Sequence, residues 1–437
     1  MARPDGPARD DDGYVRGVRM TMDTGRMASG GTAPSVLQRC VAVETAKFAA
    51  AYWGRSPLLS RAGELAGQYG FAELLSPAAV DELLSRRGLR TPFLRVADQG
   101  TVLPAGRFTG GAGAGAEIGD QVHDDKVLRL YAGGATLVLQ GLHRIWPPLI
   151  DFADRLGVEL RQPVQVNAYL TPPGHQGFAT HYDTHDVFVL QVEGTKRWRV
   201  HEPVLPDPLE RQPWGGRADE VAATAEGPAA LDTVLHPGDA LYLPRGWLHS
   251  AAAQDGRSLH LTVGVRALTR YAIVEELLAL AAGDRRLRAG LPFGTDVTDP
   301  DAVEPELTET VEALRDWLGS AEPAALAERL RSRAWPAARP APIGPLAQLD
   351  FAERLGADDR IAGRAGLRWR LSGDGGERVV LQLVDRVVRF PAYCAAAVRS
   401  ALSGVPVRVG DLPGLDDDGD RLVLARRLLR EGLAVPA

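Results

Sequence analysis

Residues 178–200 read FATHYDTHDVFVLQVEGTKRWRV, and two histidines and two aspartates fall within the six positions from His181 to Asp186. Directly after this polar cluster the chain turns to apolar, β-type residues, so ligand-type side chains gather at the mouth of a strand. In extended chain, side chains two positions apart share a face; His181 and Asp183 therefore project together and Tyr182 points away. Working outward, 128–267 is a series of short β-type runs separated by Pro and Gly: ATLVLQG, PVQVNAYLT, DVFVLQVEG, KRWRVHEP, TVLHPGDALYLPRGWLHSA and SLHLTVGVRAL. Many short strands, interrupted mainly by the helical PPLIDFADRLG at 147–157, predict an antiparallel double-sheet jelly roll or barrel.

A further histidine arrives far along the chain in HPGDALYLPRGWLHSA (236–251), where Pro237-Gly238-Asp239 makes a tight turn, ALYLP a strand, and Arg245-Gly246-Trp247 leads to His249. His181, Asp183 and His249 together make two imidazoles and one carboxylate, the donor set of non-haem Fe(II) oxygenases, whose remaining coordination positions stay open for O2 and a chelating cosubstrate. Lys196 follows the Gly194-Thr195 turn, and the alternation of KRWRV sends Lys196 and Trp198 to one side and Arg197 and Arg199 to the other. A cation facing a barrel interior needs an anion, and the distal carboxylate of an iron-chelating 2-oxoglutarate would supply one. His185 is either a substrate-side residue or a surface turn histidine, and Asp186 a local hydrogen-bond partner. His260, cofacial with Thr262, is either a pocket residue or core packing. Trp146, Trp198 and Trp247 read as barrel packing.

The stretches NAYLTPPGHQGFATHYDTHDVFVLQVEGTKRWRV (167–200) and HPGDALYLPRGWLHSA resemble the JmjC-type ribosomal oxygenases, cupin-fold 2-oxoglutarate-dependent hydroxylases that modify side chains of ribosomal proteins. The resemblance is strongest over 128–267; before it, FAAAYWGRSPLL (48–59) looks like the family's leading segment. It implies a double-stranded β-helix core (jelly roll/cupin, JmjC-type) in an α+β chain, with a helical dimerisation domain and a small winged-helix-like C-terminal module. Carried over by position, His181, Asp183 and His249 match the iron ligands and Lys196 the residue that pairs with the distal carboxylate of 2-oxoglutarate. Asn167, Tyr169 and Thr262 match positions lining the cosubstrate and metal pocket; by alternation alone, they are inward-facing polar strand residues. The expected activity is Fe(II)- and 2-oxoglutarate-dependent hydroxylation of a protein side chain on a ribosomal protein. The alternatives are a hydroxylase of another peptide, such as a biosynthetic precursor, or a non-catalytic cupin binding protein.

The rest of the chain frames this core. At 437 residues two or three domains are expected, and with 45% hydrophobic and 24% charged residues the composition is globular. No apolar run approaches the roughly 18–20 residues that span a bilayer, and a net charge of −6 lacks the footprint of a nucleic-acid binder. Two distant cysteines, Cys40 and Cys394, argue against a disulfide framework and suit a reducing cytoplasm. The expected divisions are a disordered leader at 1–35, a leading helical segment and loop at 36–127, the catalytic barrel at 128–268, a helical dimerisation domain and Pro-rich linker at 269–345, and the C-terminal module at 346–437. Apolar stripes in IVEELLALAA and VEALRDWL are the reason to expect a homodimer. GRFTGGAGAGAEIGD (106–120) lacks the spacing of a phosphate loop and reads as a flexible loop where substrate choice diverges.

Overall fold

The computed structural model describes residues 35–66, 70–98, 100–115, 117–334, 339–373 and 376–437. The leader expected at 1–35 lies almost entirely outside the described residues, as does part of the linker expected at 336–345. Every strand expected between 128 and 267 is present, and together they build two facing antiparallel sheets. The larger has eight strands, in edge-to-edge order Leu58–Ser60, Ala240–Leu243, Asp186–Glu193, Ser258–Val265, Val164–Thr171, Thr136–Leu139, Leu94–Asp98 and Thr101–Val102. The smaller is Leu231–Leu235, Lys196–His201 and Leu248–Ala253.

The strand Asp186–Glu193 shows why its sequence is a continuous apolar run rather than an alternating one: both of its faces are covered. Val187 and Val189 point to the small sheet and pack with Trp198, Val200, Leu235, Leu241 and Leu243. Phe188, Leu190 and Val192 point the other way, into a core shared with the leading segment and the helix Pro147–Leu160. On that outer face Phe48 meets Phe188 and Tyr242 at ring separations of 5.9 and 4.9 Å, and Trp53 stacks on Tyr242 at 6.0 Å. Gly54 N donates to the Tyr242 hydroxyl at 2.8 Å, fastening FAAAYWG to the sheet. Burying each such ring stabilises the docked segment by roughly 1.5–3 kcal/mol.

The boundary expected at 128 is corrected. Leu58–Ser60, Leu94–Asp98 and Thr101–Val102 belong to the large sheet, so the segment read as leading helix and loop supplies three of its eight strands. These runs are short, and nothing in their own pattern says which sheet edge they will extend. The helix begun by Ser76-Pro77 is present as Pro77–Arg86, with Ser76 Oγ accepting from Ala79 N at 3.2 Å.

Beyond the barrel, helices Arg270–Ala281, Pro300–Gly319 and Pro323–Ala334 form the helical block. It buries little of its own apolar surface: Tyr271, Val274, Leu278, Phe293, Val297, Leu307 and Val311 are all exposed. The C-terminal part has its own core, built from helices Pro345–Arg354, Ala395–Ala401 and Asp418–Arg430 and two three-stranded sheets. No described helix is long and apolar enough to cross a membrane.

Candidate metal centre and its cavity

His181 and Asp183 do not stand on a regular strand, as the spacing suggested; the strand opens at Asp186, and the pair lies on the extended segment before it. What holds them is a bridge to the distant histidine. His181 N donates to His249 O at 3.2 Å, and His249 N donates to His181 O at 2.8 Å. The turn Arg245-Gly246 adds two ties: Gly246 N donates to Asp183 O at 2.9 Å and Arg245 N to Asp186 Oδ1 at 2.9 Å. Asp186, expected to be a local partner, instead accepts from the backbone of this distant turn. Tyr182, on the opposite side, is buried against Val221 and Leu248 and donates its hydroxyl to Gln212 O at 2.9 Å.

The ligand-type atoms of His181, Asp183 and His249 all lie within 4.8 Å of one another. His181 Nδ1 contacts Ala179 O at 2.8 Å and His249 Nδ1 contacts Trp247 O at 3.1 Å. A carbonyl only accepts, so each Nδ1 carries the proton and each Nε2 is left as a lone-pair donor; this tie to a carbonyl is how ligating imidazoles are commonly oriented. Burial, with the neighbouring His181, depresses His249 to about 4, which keeps it neutral. Burial would raise Asp183, but the surrounding imidazoles hold its carboxyl below the usual range. Neutral nitrogen donors beside a carboxylate suit a divalent first-row metal, and the cavity in front of them leaves room for further ligands.

That cavity measures about 250 Å³ and runs between the sheets. Lys196 lines it and is 3% exposed; its Nζ donates to Thr171 Oγ1 at 3.0 Å, and Thr171 in turn pairs with Thr136 at 3.2 Å. Burial without a carboxylate partner pulls the ammonium down to about 7. Arg197 and Arg199, on the other face of the same strand, reach Asp232 at 2.7 and 3.4 Å. The tight turn feeding this strand requires glycine: Gly194 sits at φ +65°, and a Cβ there would come within 1.9 Å of Arg257 O.

Tyr169 and Thr262 line the cavity. Asn167, although cofacial with Tyr169, is not among the lining residues; its Oδ1 accepts from Gly141 N at 3.0 Å, which turns the amide toward the neighbouring loop. His260 lines the cavity, stacked on Tyr169 at 4.9 Å and edge-on to Trp198 at 5.5 Å. Its Nδ1 and the Trp198 Nε1 are buried without hydrogen-bond partners among the described residues. Trp198 is therefore a cavity wall as well as packing. His185 stays outside the cavity, over Gly264, where a Cβ would meet its ring at 2.6 Å. The described part of the glycine-rich loop at 106–120 contributes nothing to the lining.

The lining residues not found by sequence reasoning include Arg95, Thr136, Phe178 and Trp214. Phe178 and Trp214 flank His181, with ring separations of 6.0 and 6.3 Å. The one signal for Arg95 is a lone cation in the apolar run FLRVAD, with nothing to tie that run to the site.

With the site's geometry given, comparison with known proteins is direct. Residues 149–273 match the JmjC domain. The JmjC match contains all three ligand-type residues of the triad, Lys196, and the cofacial Tyr169 and Thr262. Ribosomal oxygenase 1 of Rattus norvegicus is 31% identical over 366 residues, covering 70% of this chain and 58% of that protein. The bifunctional lysine-specific demethylase and histidyl-hydroxylase NO66 of Drosophila persimilis is 43% identical over 137 residues, 30% of this chain and 19% of that protein. The chain thus spans little more than half the length of the first and about a fifth of the second. Among solved structures, Escherichia coli ribosomal oxygenase YcfD superposes with a TM-score of 0.52 at 18% identity, covering 90% of this chain and 98% of that one. YcfD in complex with cobalt and 2-oxoglutarate gives 0.51 at 17% identity over 91% and 99% of the two chains. The fold around the JmjC domain is accordingly of JmjC/cupin type, with mixed helices and antiparallel sheets.

Proposed function

We propose that this chain is an Fe(II)- and 2-oxoglutarate-dependent oxygenase that hydroxylates a protein side chain, with a ribosomal protein as substrate. The observation that carries the reading is one cavity lined by both a His-Asp-His triad and a buried lysine without a carboxylate partner. His181, Asp183 and His249 would hold the iron through two Nε2 atoms and a carboxylate. Lys196, with Thr171 and Thr136 behind it, would take the distal carboxylate of 2-oxoglutarate; Tyr169 and Thr262 would shape its sides. Asn167, fastened to Gly141, supports the pocket from behind the lining. When bound, iron, 2-oxoglutarate and O2 supply the oxidising chemistry, with succinate and CO2 as coproducts. The residues of the chain orient these groups and keep water from the site, Phe178, Trp198 and Trp214 forming apolar walls. Named activities of the relatives and the cobalt and 2-oxoglutarate seen in YcfD support this assignment.

Incubating the purified protein with iron, ascorbate, 2-oxoglutarate and ribosomal proteins from the same source tests it. The expected result is a peptide gaining the mass of one oxygen atom, with stoichiometric succinate. Turnover only on a non-ribosomal peptide rejects the substrate and keeps the chemistry; absence of iron and 2-oxoglutarate binding rejects both.

The proposed divisions are the barrel with its leading segment, a dimerising helical block at about 269–345, and a winged-helix-like module at 346–437, in a cytoplasmic protein that binds no nucleic acid directly. A homodimer is supported by the exposed Val274, Leu278, Leu307 and Val311 of the block, which an isologous pairing would cover. Light scattering at micromolar protein should give twice the chain mass, and a monomeric mass defeats the dimer.

A further inference from the structure

The paired strands Lys196–His201 and Leu231–Leu235 are joined by a long strap, 202–230, that brings Trp214 to the cavity. Antiparallel neighbours need only about 2–5 residues to connect them, so the length of this strap is not explained by the sheet. Between Pro208 and Val221 none of its residues is buried, and Trp214 itself is 37% exposed although it lines the cavity and lies 6.3 Å from the His181 ring. The short helical turn Trp214–Arg217 therefore has no core beneath it, and contacts at its edge must place it.

Those contacts fall on the residues just before Trp214. Leu209 N donates to Gln212 Oε1 at 2.9 Å and Gln212 N to Leu209 O at 2.8 Å, closing 209–212 into one turn. From the triad side, Tyr182, the residue between His181 and Asp183, donates its hydroxyl to Gln212 O. From the other side Arg211 reaches helix Arg270–Ala281 of the helical block: its guanidinium lies 4.5 Å from the centre of the Tyr271 ring and 3.2 Å from Glu275 Oε1. Tyr271 and Glu275 are four positions apart and share a helix face. Arg333, from helix Pro323–Ala334, holds the second oxygen of Glu275 at 2.6 Å and so orients the carboxylate. An exposed ion pair alone adds little, but a planar guanidinium laid on a ring and bonded to an oriented carboxylate has few geometries open to it.

We propose that Arg211 is a positioning residue of the cavity: by docking the strap on helix Arg270–Ala281 it keeps Trp214 at the mouth beside His181, which retains the cosubstrate and limits the entry of water. The retention rests on the oxygenase reading of the same cavity. Without the tether the turn 209–212 is held from the triad side alone, and Trp214 spends more time away from the mouth.

The test uses the full chain labelled with 5-fluorotryptophan. Of its eight tryptophan resonances, that of Trp214 is the one lost in Trp214→Phe. In metal-free Arg211→Ala this line should move toward its position in the denatured chain, with the other seven in place. Release of 2-oxoglutarate from the cobalt-loaded chain, followed by stopped flow, should be about 2–5-fold faster, the worth of an exposed cation–π contact. Cobalt affinity should not change. Tyr271→Leu, which removes the ring and keeps the helix, should shift the same line and speed the same release. A Trp214 line or a release rate that stays at the wild-type value in both variants overturns the role of Arg211, and a shift spread over all eight lines reduces it to general stability and overturns it as well. A wild-type chain that binds neither cobalt nor 2-oxoglutarate overturns the oxygenase reading and the retention with it. That failure is distinct, because the metal-free fluorine spectra decide by themselves whether Arg211 places Trp214.

Discussion

The two faces of the strand Lys196–His201 carry the same kind of side chain in opposite circumstances. Outside, Arg197 and Arg199 share Asp232 in water, where solvent screening leaves such an arrangement worth little. Inside, Lys196 is buried with only a threonine hydroxyl for company, and its depressed protonation shows that burial disfavours the charge. A residue that lowers stability where a methionine would raise it points to a ligand. The same contrast separates Arg95, with its unpartnered Nε, from the many surface arginines that meet carboxylates.

Four measurements put this contrast between buried and exposed cations at risk. The largest effect is at the triad: His181→Ala or His249→Ala should weaken iron binding by more than the ~10–100-fold typical of losing a residue that merely supports a ligand. Full iron occupancy in both variants, measured by metal analysis, would place the metal elsewhere.

Next comes Lys196→Met, which should weaken 2-oxoglutarate by about 10–100-fold, the worth of a charge-assisted hydrogen bond, while leaving iron in place. Thermal unfolding should show the same variant more stable by at least ~1 kcal/mol, because a poorly paired buried charge has gone. The sign follows from linkage. Lys196 is lowered to about 7 in the folded chain, against about 10.4 when unfolded, so the unfolded state binds the extra proton between those values. Wild-type stability relative to the methionine variant should therefore fall as pH drops from 10 to 7. A methionine variant that is less stable throughout would mean the ammonium has a partner in solution.

The affinity of the wild-type chain for 2-oxoglutarate should itself depend on pH. Above about 7 the free Lys196 is neutral, and binding a carboxylate must bring a proton with it. The dissociation constant should then rise toward ~10-fold per pH unit, with proton uptake visible as a buffer-dependent heat in calorimetry. A flat profile would place the carboxylate elsewhere.

The smallest effect belongs to the outer face: Arg197→Ala should leave the unfolding midpoint nearly unchanged and 2-oxoglutarate affinity untouched. A larger loss of affinity would show that the two faces are coupled through the strand.

Much of the site was legible because it is encoded by local periodicity. His181 and Asp183 two apart, Lys196 and Trp198 two apart, and Tyr169 cofacial with its neighbours all follow from the two-residue repeat of extended chain. The same rule overreached at Asn167: it gives the face correctly but not the rotamer, and the Gly141 amide captures the side chain. Periodicity also cannot find Arg95, Thr136 or Trp214, because their strands and loops reach the cavity through pairings between distant segments.

The strand series, the apolar faces, the triad's residue types and the inward turn of Lys196 could all be read from the amino-acid order, since each depends on side chains within a few positions of one another. Three further features emerged only in the folded chain: three strands of the leading segment complete the large sheet, His181 and His249 are bridged by a reciprocal pair of backbone hydrogen bonds, and Arg95 faces the triad. Those are long-range pairings, chosen by the joint burial of two faces and the satisfaction of backbone groups across the sheet. No single segment carries that information.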